Sequence, residues 1–152
     1  MNDVVVIDNA IPKQTQIEFD QLCLHANFPW HYHPTSAYSE EQVKHIPESF
    51  KKDSVDTPFF GHLLYNNNVI NSDFFHMFRP IVESIPDINT SKLVRFKLNL
   101  TMPNPHCNKN THSFPHTDIE GIDNYVTAVY YINDSDGDTF FFNNDLTIKQ
   151  RV

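Results

Sequence analysis

The period of the apolar residues changes once along this chain, near residue 90, and that change restricts what the chain can fold into. Before it, Phe74, Phe78, Ile81, Val82 and Ile85 recur at three- and four-residue steps, the stripe of an amphipathic helix that Pro86 brings to an end. After it, Val94, Phe96, Leu98 and Leu100 alternate with Arg95, Lys97, Asn99 and Thr101, so one face of a strand is apolar and the other polar. Helices first and strands second predict an α+β protein, mainly β, with residues 1–90 forming a helical cover plus the first strands and residues 91–152 the β-core. A length of 152 residues suits one domain with one core.

The remaining elements follow from local signals. Residues 4–7 are β-branched and apolar, which predicts a short buried strand, and Pro12 suits the first turn of a helix over residues 13–25. Residues 27–38 hold Pro29, Trp30 and Pro34 without periodicity, so an ordered loop packed by Trp30 is expected. Ser39 and Gln42 have capping-box spacing for one short helix. TPFFGHLLY (57–65) is strand-like, the Asn66, Asn67, Asn68 run is a turn, and Ser72 is placed to cap the amphipathic helix. Pro103, Pro105 and Pro115 make residues 103–115 a loop that leads into His116. YVTAVYYI (125–132) is strongly β-prone, residues 133–138 with Gly137 form a turn, and residues 139–142 return as the partner strand of a hairpin. The final segment, DLTIKQRV, reads as a strand just beginning.

Charge and composition exclude several classes. A formal charge of −8 with only eleven scattered Lys and Arg argues against a phosphate-backbone binder. MNDVVVIDNA has no basic region followed by a long apolar run, and no stretch of about 18 apolar residues occurs, so the chain reads as soluble, unexported and cytoplasmic. Cys23 and Cys107 are far apart, with no CxxC spacing, which indicates neither a zinc ribbon nor a disulfide scaffold and fits a reducing compartment. Glycosylation patterns begin at Asn89, Asn99 and Asn133 but would meet no glycosylation machinery without export.

The residues that suggest chemistry are His116, Thr117 and Asp118. Iron that must bind both a cosubstrate and oxygen needs two His and one carboxylate on one face, with the other positions open. His116-Thr117-Asp118 is the only His-x-Asp triplet in the chain, and on a strand the first and third side chains project from one face toward a single ion. Arg95, Lys97 and Asn99 share the polar face of their strand and suit an anionic cosubstrate or a solvated surface, with Asn99 nearest in sequence to the His116 loop. Asp134, Asp136 and Asp138 resemble the start of a calcium loop, but Gly137 is misplaced and no closing Glu follows, so turn chemistry accounts for them. His106 and His112 are spare histidines expected at the surface. His31 and His33 would bind a metal from a strand, but Pro29 and Pro34 predict a loop.

PHTD followed by YVTAVYYINDSDGDTFFF resembles the central segment of the prolyl-4-hydroxylase-like Fe(II)/2-oxoglutarate-dependent oxygenases. FPW near residue 29, HLLY near 63, NSDFF near 72 and RFKLNL near 96 resemble a small microbial and phage branch of that superfamily, so the likeness spans most of the chain. The resemblance implies a partial double-stranded β-helix, or jelly-roll. It also implies Fe(II) held by His116 and Asp118, and 2-oxoglutarate as a small-molecule cosubstrate beside Tyr131 and Thr127. The activity implied is a dioxygenase that couples oxidative decarboxylation of 2-oxoglutarate to hydroxylation of a substrate, a protein side chain being one candidate.

The same family needs a distal His and, shortly after it, an Arg or Lys for the far carboxylate of the cosubstrate. Only 34 residues follow Asp118, they contain no His, and Arg151 comes too early. The resemblance therefore implies a chain cut short before its third ligand, holding iron weakly and presenting an open sheet edge through which it would dimerise, swap or aggregate. Two other classes remain open: a non-catalytic β-sandwich binding or structural module, and a cupin-like metal-binding protein using His106 or His112 with His116.

Overall fold

The computed structural model describes residues 4–36, 38, 40–51, 53–119, 121–122, 124–135 and 137–152. In chain order the elements are α1 (Lys13–Cys23), β1 (His31–His33), α2 (Glu40–Lys44), α3 (Glu48–Lys51), β2 (Phe59–Asn66), β3 (Val69–Ile70), α4 (Phe75–Glu83), a 3-10 turn (Thr90–Lys92), β4 (Arg95–Thr101), β5 (Phe140–Phe142) and β6 (Ile148–Arg151). The class is α+β with antiparallel sheets. Strand β2 pairs with β1, β3 and β4, and β5 pairs with β6 in a separate two-stranded sheet.

The chain gathers into two compact units that interleave along it. One is made of Met1–Trp30, His62–Leu98 and Tyr130–Asn133, the other of His31–Gly61, Asn99–Val129 and Asp134–Val152. Each draws on both halves of the sequence.

In the first unit the helical stripe is where the periodicity puts it. Phe75, Phe78, Ile81 and Val82 of α4 are buried, and Phe78 and Leu64 of β2 lose all contact with solvent. Phe19 of α1 meets Phe78 with ring centroids 4.6 Å apart, and Phe28 packs on Phe74 at 5.0 Å. Leu98 of β4 closes the same core, as the two-residue alternation requires. Trp30 is fixed by its indole N–H, which donates to the Cys23 carbonyl at 3.0 Å. Pro12 stands just outside α1 as its N-cap residue rather than inside the first turn. Asn67 and Asn68 take positive φ, 45° and 65°, the pair of left-handed residues that a tight β2–β3 hairpin needs.

Three of the expected elements differ. Residues 4–7 form no strand, and Val5, Val6 and Ile7 are 75%, 59% and 43% exposed. β-Branched residues favour a strand only where a neighbouring strand accepts them. Residues 31–33 do form one, β1, in register with Phe59, Phe60 and Gly61, because the flanking Pro29 and Pro34 lie beyond the paired residues. The predicted hairpin from 125–132 to 139–142 is absent: residues 125–132 join no ladder, and β5 instead pairs with β6 across a short turn at residues 143–147.

In the second unit the proline-bounded loop is tied down at His112. Its backbone N–H donates to the Asp53 carbonyl (3.0 Å), its carbonyl accepts from Val55 N–H (2.9 Å), and its ring packs on Phe142 at 4.9 Å. Asp56 accepts from both the backbone N–H and the hydroxyl of Ser36, at 2.7 and 2.6 Å. Helix α2 begins beside the predicted cap, Ser39, which lies outside the described residues, as does Asp136 of the aspartate run.

Candidate functional site

The segment entering His116 is anchored twice. Phe114 is buried, 6% exposed, against the ring of Tyr38, and the Tyr38 hydroxyl donates to the Pro115 carbonyl at 2.6 Å. His116 itself is exposed, and its Nδ1 lies 2.9 Å from the Phe114 carbonyl. A carbonyl only accepts, so Nδ1 carries the proton and the lone pair sits on Nε2. Backbone-engaged Nδ1–H is a common way of orienting a metal-binding imidazole. Asp118 follows at a bend and is half-buried.

The triplet does not lie on a strand, so the alternation that was expected to aim both side chains at one ion does not operate here. Among the described residues no three His, Cys, Asp or Glu side chains gather as a metal-binding group. Imidazole Nε2 and carboxylate are two of the three donors that a facial iron site uses, so the donor chemistry fits in part.

Asn99 and Thr127 belong to the same unit as His116 and Asp118, and both are exposed. Tyr131 belongs to the other unit. Tyr131 and Thr127 are four residues apart, and without a strand at 125–132 no shared strand face brings them together. An apolar cleft of about 310 Å³ opens where Tyr38, Ile46, Pro47, Phe114, Pro115 and Leu146 meet. Pro115 in its wall is the residue before His116.

The other histidines separate clearly. His112 is committed to packing and to its Ser113 carbonyl, 2.9 Å from Nδ1. His106 heads a turn in which its N–H donates to Asn104 Oδ1 at 2.9 Å. His31 and His33 lie on β1 and not in a loop, and His33 stacks on Phe59 with centroids 4.7 Å apart. Arg151 pairs with Asp138 and covers the ring of Phe140, which gives it a structural use in the β5–β6 sheet.

One pair of functional type escaped the sequence reading. Among the described residues of the first unit His62 is the buried polar side chain, with Nδ1 2.9 Å from the Pro29 carbonyl and Nε2 2.7 Å from Ser72 Oγ. In the sequence Ser72 reads only as the cap of α4, whose N-cap residue is instead Phe74, and nothing in the spacing of residues 62 and 72 announces that they meet.

Compared with known protein families, curated proteins and solved structures, the chain matches none. No helix among the described residues is long and apolar enough to cross a membrane.

Proposed function

We propose that the chain is a non-haem Fe(II)/2-oxoglutarate-dependent oxygenase domain, with its strands part of a double-stranded β-helix, and that it holds iron weakly through His116 and Asp118. The observation that carries this reading is the state of His116. Its Nδ1 proton is spent on the Phe114 carbonyl, and a carboxylate stands two residues on. The anchoring of Phe114 and Pro115 lets the imidazole hold one orientation without a strand beneath it.

Iron bound there supplies the oxidation, linking decarboxylation of 2-oxoglutarate to hydroxylation of a substrate. The chain's own part is to present one neutral nitrogen and one carboxylate to the metal. Asn99 and Thr127, exposed on the same unit, supply polar groups for the cosubstrate.

Anaerobic titration with Fe(II) tests the reading. Wild-type chain should bind one equivalent, with weak affinity befitting two protein donors. His116→Ala and Asp118→Ala should each abolish it, and succinate should form slowly from 2-oxoglutarate under air. Absence of Fe(II) binding would leave a non-catalytic module. Binding that survives Asp118→Ala but not His106→Ala would point to the cupin-like alternative.

A further inference from the structure

We propose that Ser72 and His62 form a nucleophile–base dyad, oriented by the Pro29 carbonyl, that transfers acyl groups from small uncharged or cationic esters to water. It stands in the first unit, independent of His116 and Asp118. Nucleophilic catalysis at a serine needs a hydroxyl within hydrogen-bond reach of a base, and a third group that fixes the base. All three are here: Ser72 Oγ is 2.7 Å from Nε2, and Nδ1 is 2.9 Å from the Pro29 carbonyl.

The protonation pattern follows from the partners. The Pro29 carbonyl accepts only, so Nδ1 donates, Nε2 offers its lone pair, and the Ser72 hydroxyl points its proton at the base. The ring cannot swing away, because Phe28 and Phe74 meet it edge-on at 5.1 and 5.8 Å. Ser72 also lines an open polar surface recess of about 330 Å³ along Ile70, Asn71, Ser72, Asp73 and Phe74. That volume admits a short acyl chain, and the Asp73 carboxylate in the wall disfavours an anionic substrate. The Phe74 N–H donates to Ser72 Oγ at 3.2 Å and supports negative charge on that oxygen.

In the first half-reaction Ser72 Oγ bonds to the ester carbonyl carbon while its proton passes to His62 Nε2. The carbon–alkoxide bond then breaks, and the leaving alkoxide takes that proton. In the second, water adds to the acyl carbon and gives a proton to Nε2. Ser72 Oγ departs, recovers the proton, and a carboxylic acid is released. No oxidant or cofactor is consumed. A carbonyl stabilises the imidazolium less than a carboxylate does, so turnover is slow and covalent capture is the sharper readout.

The whole chain is incubated with a tagged alkyl fluorophosphonate, in which the P–F bond breaks as the Ser72 Oγ–P bond forms, the proton goes to His62 and fluoride leaves. The expected result is one phosphonyl adduct on the peptide carrying Ser72, none in Ser72→Ala, and labelling slowed roughly a hundredfold in His62→Gln. Should His62→Gln fail to fold by circular dichroism, Ser72→Cys replaces it. The introduced thiol should be alkylated by iodoacetamide about tenfold faster than the exposed Cys107 of the same chain, since a paired base raises thiolate content. An unmodified Ser72 in the folded wild-type protein overturns the proposal. So does undiminished labelling in folded His62→Gln, or a thiol at position 72 no faster than Cys107. None of these outcomes bears on iron binding.

Discussion

Cys23 shows what burial does to one ionisable atom. Its thiol is pushed up to about 11 from an ordinary 9.0, first because the core of the first unit strips away water, and then because the Asp20 carboxylate opposes a second negative charge. Cys107 is exposed. A thiol reagent should therefore modify one cysteine of the native protein rapidly and the second only in denaturant; two equally fast cysteines would mean that the core around Cys23 is not closed. The raised value also sets a pH dependence. The folded state keeps its proton longer than the unfolded chain does, so stability is complete below about 9 and falls as pH rises through about 11. Urea midpoints measured across that interval should decline, and the decline should be shallower in Cys23→Ala, where the Tyr130 hydroxyl, pushed up by its own burial, still contributes. His112 belongs at this scale too. Its ring packs against both Phe140 and Phe142, and His112→Ala should cost about 2 kcal/mol of stability while leaving Fe(II) affinity unchanged. A loss of metal binding without a loss of stability would transfer the ligand role to it.

Among the elements, α4 and β2 hold the first unit together. Among the described residues, Phe78 and Leu64 are the fully buried large side chains there, one from the helix and one from the sheet. Phe78→Ala should lower the unfolding free energy by about 3–5 kcal/mol and Leu64→Ala by about 2–5, measured by chemical denaturation. A loss under about 1 kcal/mol at both positions would mean that the helix does not pack on the sheet as described. Helix α4 and strand β4 are legible in the sequence because their periods are strong: a three-to-four stripe in 74–85 and alternation in 94–101 each leave only one way to bury the apolar side. The YVTAVYYI run was misread for the opposite reason. Its propensity is high, but a strand exists only where a partner supplies hydrogen bonds. Tyr130 and Ile132 turn instead toward the core of the first unit, while Val126 and Val129 stay exposed. β1 was missed because a three-residue strand between prolines carries no period at all.

Across the whole molecule, sheet edges and charge oppose one another. The β5–β6 sheet has two strands, and Ile148 on one of them and Val69 and Ile70 on β3 are about half exposed, a surface suited to edge pairing with another copy. The formal charge of −8 resists that approach through repulsion, which salt screens. Sedimentation should show average mass rising with protein concentration, and more steeply at high ionic strength. A strict monomer at all concentrations and salts would mean that the edges are shielded. The acidic balance, the α+β class, the α4 stripe, the alternation in β4 and the His116-x-Asp118 pair all belong to the sequence alone, because each depends on residue type and local spacing. Tertiary structure alone decided that β5 takes β6 as its partner, that Tyr131 and Thr127 fall in different units, and that His62 reaches Ser72 and the Pro29 carbonyl. Such meetings join residues by the path of the folded backbone, and no local period records them.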